Sequence, residues 1–310
     1  VGKKAMSGCV EQATQKSNYF KGSVSMAKSD LLNETLSSST NRRNLLKKLA
    51  TAGAAVGVSQ LALSAQTPSA SDVVQFALNL EYLEAEFYSV ATTGKTLAER
   101  GFNFPGTGAG PTTTSFGAVN FGNNLVLTGA TAADIANDEL QHVMDLRAAL
   151  TANGITPIAK PAINLDALAG LGASLANQQS FLILARAFED IGVSAYSGGA
   201  NFLSGSPYLM SAARILAVEG EHVGNIRLEI ARLGIPTAAL DGADVVPPPS
   251  GSNLFSTNPA NGLCAYRTPG EVLYLAYGFV AGATSGGFFP KGVNGALNTS
   301  TGPATSANLS

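Results

Sequence analysis

Histidine is almost missing from this chain: there are two in 310 residues, His142 and His222. Tryptophan is absent, and cysteine occurs only at Cys9 and Cys264, with no Cys-x-x-Cys spacing. A site built on paired thiolates is thereby excluded, and no disulfide framework can staple the fold. Charge is scarce too. Lys, Arg, Asp and Glu make up 13% of the chain and leave a net charge of −2, which gives no basic surface to attract nucleic acid or an anionic membrane. Long apolar runs are also lacking. The most apolar stretch near the N-terminus, residues 49–63, is too short for a stable membrane span. Hydrophobic residues at 45% suit a well-buried core, and the Ala- and Gly-rich composition predicts closely packed helices rather than aromatic anchoring.

The two histidines that are present share one context. His142 closes Glu139-Leu140-Gln141-His142, and His222 closes Glu219-Gly220-Glu221-His222. On a helix, residues three apart lie on one face, so each pair can offer a carboxylate and an imidazole to one metal ion. Two such pairs, with one further Glu from each of two other helices, form the ligand set of a dinuclear metal centre in a four-helix bundle. Glu81 is followed seven residues later by Tyr88, and Glu189 by Tyr196. Seven residues is two helical turns, so each Tyr shares a face with its Glu. Glu84, one turn from Glu81, is the rival ligand; Glu81 is preferred because only it has the two-turn spacing to Tyr88. Asp138 and Asp145 flank the Glu139–His142 motif and read as solvated surface. Oxygen ligands with one imidazole per ion suit iron or manganese better than thiolate-seeking metals.

In chain order the pattern is one two-helix unit written twice, and over about residues 71–234 it resembles the ferritin-like superfamily, which holds the rubrerythrins and bacterioferritins. The resemblance implies an all-α fold, an up-down four-helix bundle with a long crossover between its second and third helices. It implies two metal ions, iron first and manganese as the alternative. Glu139 and Glu219 would bridge the ions, Glu81 and Glu189 would each cap one, and His142 and His222 would each supply a nitrogen. Tyr88 and Tyr196 would hydrogen-bond the carboxylates. The expected small-molecule partner is O2 or peroxide, and the expected chemistry is oxidation of Fe(II) or scavenging of O2 or peroxide. Manganese catalase-like peroxide dismutation and a non-enzymatic, metal-stapled protective protein are the alternatives, and a homodimer is compatible with the family. The rubredoxin-type iron site of rubrerythrins has no counterpart in this cysteine-poor sequence.

Around the bundle, the sequence divides as follows. Residues 1–40 are polar and lack apolar period, a disordered leader in which Met26 makes a more conventional start than Val1. Residues 41–66 resemble a twin-arginine signal peptide: Arg42-Arg43 precede Leu45, Leu46 and Lys47, then an apolar run and small residues at Ala62, Ser64 and Ala65. The twin-arginine export machinery is thus an expected partner, with Cys9 lost, a mature start near 66–71 and a periplasmic or extracellular address. The bundle, 71–236, is expected as helices over 71–93 (capped by Ser71-Asp72), 131–153 (with Asp134 in a capping box), 173–202, and 206–234 (Ser206 as N-cap, Pro207 next). The 94–129 loop is expected to decorate one end, with a small sheet at most. The extension, 237–310, carries a stiff Val246-Pro247-Pro248-Pro249-Ser250 stretch and a Thr268–Glu271 capping box. Its Gly286-Gly287-Phe288-Phe289-Pro290 segment, with Arg267-Thr268-Pro269, resembles the C-terminal extension of plant desiccation-related proteins and their bacterial relatives. Two adjacent Phe are costly in water, so this segment is expected to pack on the bundle. The last fifteen residues read as disordered.

Overall fold

The computed structural model describes residues 67–122, 129–167 and 177–310. The leader, the Arg42-Arg43 signal and the Leu125-Val126-Leu127 run lie outside the described residues. Four long helices carry the fold: α1 (Ala70–Thr93), α2 (Gly129–Ala152), α3 (Gln178–Gly199) and α4 (Leu209–Leu233). The chain is all-α in architecture, a helical bundle in which α1 packs chiefly on α2 and α3 on α4. Each half of the duplicated sequence therefore forms its own helix pair. The connection from α2 to α3 occupies residues 153–177. Among the described residues, no helix is long and apolar enough to cross a membrane.

Helix ends shift from the expected positions for local reasons. Ser69, not Ser71, caps α1: its hydroxyl accepts from Asp72 N while Asp72 Oδ2 accepts from Ser69 N, a reciprocal box that satisfies two otherwise orphaned donors. Helix α2 begins at Gly129, two residues before Thr131. Helix α3 begins at Gln178 rather than 173, because Asn177 is extended and its side chain accepts from Ser180 N; its end passes into a 3-10 turn, Ala200–Leu203. Ser206 does accept the Tyr208 N–H at 3.3 Å, but Leu209 N bonds Ser206 O in the tighter i→i−3 manner. Regular α-helix therefore starts only at Leu209. Gly234 closes α4 in the left-handed region, φ 65°, where glycine carries no steric penalty.

The core contains more aromatic packing than the composition suggests. Phe87 of α1 stacks on Phe181 of α3 (ring centres 5.7 Å apart, planes within 1°) and touches Phe188 at 4.7 Å, and Phe121 meets Phe181 edge-on. Phe87 and Phe181 are fully buried, each contributing on the order of 2–3 kcal/mol by leaving water. Helix α1 is buried nearly all round, polar residues included, because loops cover what the bundle leaves open. Glu86 accepts from Leu97 N and lies 3.3 Å from Lys160 Nζ; Asn79 exchanges two hydrogen bonds with the backbone of Asn294. The only regular strands among the described residues, β1 (Thr112–Thr113) and β2 (Ile163–Asn164), pair in parallel and tie the first loop to the crossover.

The extension is anchored by buried polar contacts. Helix α5 (Pro269–Ala276) opens with the Thr268–Glu271 capping box. Arg267 donates to Asp241 and to Ser194 Oγ, and its backbone N bonds Ser194 O. This approach needs Gly198, since a Cβ there would lie 2.0 Å from Arg267 O. Phe289 is fully buried and meets Tyr277 edge-on, while Phe288 packs on Phe188. The final fifteen residues are not disordered as expected. Asn308 donates to Tyr266 O and Glu271, Ala304 O accepts from Gly242 N, and a 3-10 turn spans Ser306–Leu309. Such a tail is fixed by polar bonds to distant residues, which leave no apolar period in the sequence.

Candidate metal centre

The i,i+3 spacing places Glu139 and His142 on one face of α2, and Glu219 and His222 on one face of α4; Glu81 from α1 and Glu189 from α3 complete the ring. All four carboxylates are fully buried, and the two imidazoles nearly so. Two groups emerge in which every member offers a ligand atom within 4.8 Å of the others: Glu81, Glu139, His142 and Glu219, and Glu139, Glu189, Glu219 and His222. Glu139 and Glu219 belong to both. All six expected ligands are thus brought together, in two overlapping groups that each could hold a metal ion.

Distances are short and alignment is poor, as befits groups aimed at a common point rather than at one another. His142 Nδ1 lies 3.2 Å from Glu81 Oε2, 3.4 Å from Glu219 Oε1 and 3.5 Å from Glu139 Oε2. His222 Nδ1 lies 3.1 Å from Glu139 Oε1 and 3.2 Å from Glu189 Oε2. Yet six of these buried atoms lack a hydrogen-bond partner: Glu81 Oε2, both oxygens of Glu139, His142 Nδ1 and both oxygens of Glu219. Buried polar atoms left unpaired cost free energy, and converging Glu oxygens and imidazole nitrogens are the donors a divalent ion accepts. The residues present fit a metal. The tyrosines cross between halves: Tyr88 on α1 donates to Glu189 of α3, and Tyr196 on α3 donates to Glu81 of α1. Each leaves the second oxygen of its carboxylate for the centre.

The electrostatics of the metal-free protein show the same strain. Burial, then the charges of Glu139 and Glu189, push Glu219 well above the usual carboxylate range; burial raises Glu139 as well, against the nearby imidazoles of both histidines. For His222, burial acts to lower the pKa, but the close carboxylates of Glu139 and Glu189 and their charges outweigh it and raise it to about 11. His142 is raised in the same way by Glu81, Glu139 and Glu219, again against burial. Both tyrosines are pushed well above 10 by burial and by the carboxylates they serve.

Two neighbours exceed what spacing could show. Glu84, in neither group, is nevertheless buried against the centre: burial first, then the charges of Glu219, Glu139, Glu81 and Glu189, hold its pKa well above normal. A Cβ on Gly192 would lie 2.4 Å from Glu219 Oε2 and 3.4 Å from Glu84 Oε1, so this glycine makes room for both carboxylates. Glu84 and Gly192 occupy the same position in the two halves, three residues after Glu81 and Glu189. Asp138 is not merely solvated surface. Its side chain is 46% exposed, yet Oδ2 lies 3.3 Å from His222 Nε2, where it can orient the imidazole as carboxylates behind metal-bound histidines do. The equivalent residue in the other half is Val218. No repeat signal could have found Asp138, because the repeat breaks there.

Comparison with curated proteins finds no match to this sequence. Residues 69–232 match the ferritin-like domain family, more than half of the chain and all six residues of the candidate centre. The chain belongs to the ferritin-like domain family.

Proposed function

We propose that this is a dinuclear metal protein, with two iron ions held by Glu81, Glu139, His142, Glu189, Glu219 and His222, that oxidises Fe(II) or consumes O2 or peroxide. The observation carrying this reading is that Glu139 and Glu219 are common to both ligand groups, so that each would be able to serve both ions. Four carboxylates and two neutral imidazoles also balance two divalent ions in charge. When bound, two iron ions supply the two electrons that reduce peroxide to water. The chain's own residues do the rest. Tyr88 and Tyr196 fix the orientation of Glu189 and Glu81 across the halves. Burial excludes bulk water. Glu84 lies next to the centre, and in the metal-free protein burial and the charge of Glu219 raise its pKa and favour its protonated form.

Metal content of the purified protein, together with its consumption of O2 and of peroxide, tests this reading. Two iron ions per chain with consumption of either oxidant supports it. Manganese with peroxide dismutation replaces it by a catalase-like reading. Bound metal without turnover replaces it by a protective, metal-stapled protein, the role that the resemblance of the extension to desiccation-related proteins would suit. The Arg42-Arg43 stretch supports export by the twin-arginine route to the periplasm or beyond. Replacing both arginines by lysine should hold the precursor in the cytoplasm, and normal export of that variant would remove the proposal.

A further inference from the structure

Beside the centre lies a cavity of about 90 Å³ between α1, α3 and α5. Its inner wall is formed by Leu83, Leu184 and Val272, all buried, and its outer rim by the half-buried Leu240, Phe279 and Phe288. Its single ionisable lining residue is Glu84, and next to it the lining is the backbone of Gly192. Gly192 is also the residue whose added Cβ would strike Glu219 Oε2. One glycine thus separates an apolar cavity from a carboxylate common to both ligand groups. The rim has its own unusual feature. Phe279 follows α5 with φ 67°, a conformation bulky side chains rarely adopt, held by its N–H donating to Tyr274 O at 2.7 Å. That turn sets the ring in the cavity wall.

We propose that this cavity is the site from which dioxygen, a compact uncharged apolar molecule, reaches the metal centre. A water molecule needs two to four polar partners to settle in a cavity, and cavities lined by Leu, Ile and Phe stay dry and take up apolar gases. Here Glu84 alone offers an ionisable group. Hydrogen peroxide, which must keep its hydrogen bonds, gains nothing on this path. The inference rests on the reading of the centre as one that meets O2 or peroxide, and it narrows that reading to O2. The other occupant of the same chemistry is the end of an aliphatic organic molecule.

The test uses the metal-free mature chain, so that gas binding is read apart from turnover. Dissolved O2 should broaden the methyl resonances of Leu83, Leu184, Ile191 and Val272 selectively, and xenon should shift the same set. Val272→Phe, which fills the cavity, should abolish both effects; Ala187→Leu, a milder filling from α3, should reduce them and serves if the larger side chain prevents folding. In iron-loaded protein the filled variants should lose rate with O2 relative to peroxide. No selective broadening in the parent, or broadening that survives both fillings, overturns the proposal. Saturable binding of pentane at these methyls with no O2 effect overturns it too, in favour of an organic ligand. His222→Ala removes a proposed metal ligand without touching the cavity, so its xenon shifts should persist even where the metal reading fails.

Discussion

Glu189 and Asp190 are consecutive residues of α3, both buried, and they face opposite chemical surroundings. Asp190 Oδ2 accepts from Arg186 and Arg227 at 3.0 and 2.9 Å. Arg186 also holds Asp244, and Arg227 gathers the carbonyls of Val245, Asn253, Leu254 and Phe255. Two arginines and two aspartates balance, and only Asp190 Oδ1 and Arg186 Nε are left without a hydrogen bond. Asp190 is raised to about 6, burial outweighing the two arginine charges. On the other face, the ion pairs of Glu81, Glu139, Glu189 and Glu219 among the described residues are to imidazoles alone. Burial and mutual repulsion there push Glu219 well above its range. A buried charge cluster that brings its own cations is part of the framework. One built mostly of carboxylates, with only two imidazoles beside them, is able to take cations from outside.

The largest effect should come from breaking the arginine cluster. Arg227→Ala leaves Asp190 and Asp244 buried with less compensation, and removing one partner of a buried ion pair typically costs about 3–5 kcal/mol. Urea unfolding of the metal-free protein should show the loss. A change below about 1 kcal/mol, the range of exposed pairs, would erase the distinction between the clusters.

Next in size is the loss of metal. His222→Ala and His142→Ala should each abolish dinuclear binding, read by metal titration, because each removes one imidazole from a group that shares Glu139 and Glu219 with the other. Metal binding stabilises the folded state by about 2.7 kcal/mol at a hundred times Kd, and these variants should lose that increment in Tm. Two metals retained in His222→Ala would break the ligand assignment.

A smaller effect separates the clusters by pH. Glu84, Glu139, Glu219 and both histidines all have folded pKa values above their unfolded ones. The folded metal-free protein therefore keeps protons that the unfolded chain releases, from about pH 4.5 for the carboxylates and 6.5 for the histidines. Stability falls as pH rises wherever the folded state holds more protons. For His222 the contribution is full below about 6.5 and lost through about 11. Metal displaces these protons, so the Tm gap between loaded and metal-free protein should widen from pH 5 to 8. A gap that narrows would contradict the electrostatics of the centre.

The smallest expected change is at Asp138. Asp138→Ala should weaken metal binding by roughly 10–100-fold, the usual range for a residue behind a metal-bound histidine, without altering stoichiometry. Val218→Ala, at the equivalent place in the other half, should leave affinity unchanged. Equal effects of the two would show that the halves are alike where the geometry says they differ.

The sequence made the ligands legible because helical periodicity fixes which side chains share a face, and the chain has only two histidines to place. Tyr88 and Tyr196 were legible for the same reason, but not their crossing, since spacing along one helix says nothing about which partner lies opposite. Glu84 was visible as a rival; only packing shows that it sits beside Glu219 rather than on the bundle surface. Arg186 and Asp190 are an i,i+4 pair that spacing could have shown, but Arg227 and Asp244 went unread because their contacts join the cluster across 37 and 58 residues. The ordered tail was missed likewise, held by Asn308 and Ala304 rather than by an apolar stripe.

The opposition of Glu84 and Gly192 has a consequence for symmetry. In a two-fold symmetric dimer of one helical hairpin, every contact is repeated with the roles exchanged. The crossed tyrosine bonds satisfy that symmetry and would work between two identical chains. The pairing of a carboxylate with a glycine does not, for identical chains must carry the same residue at both places. Here both hairpins belong to one polypeptide and differ at this place, so one flank of the centre carries an acid and the other gives up its side chain. The centre therefore has a front and a back.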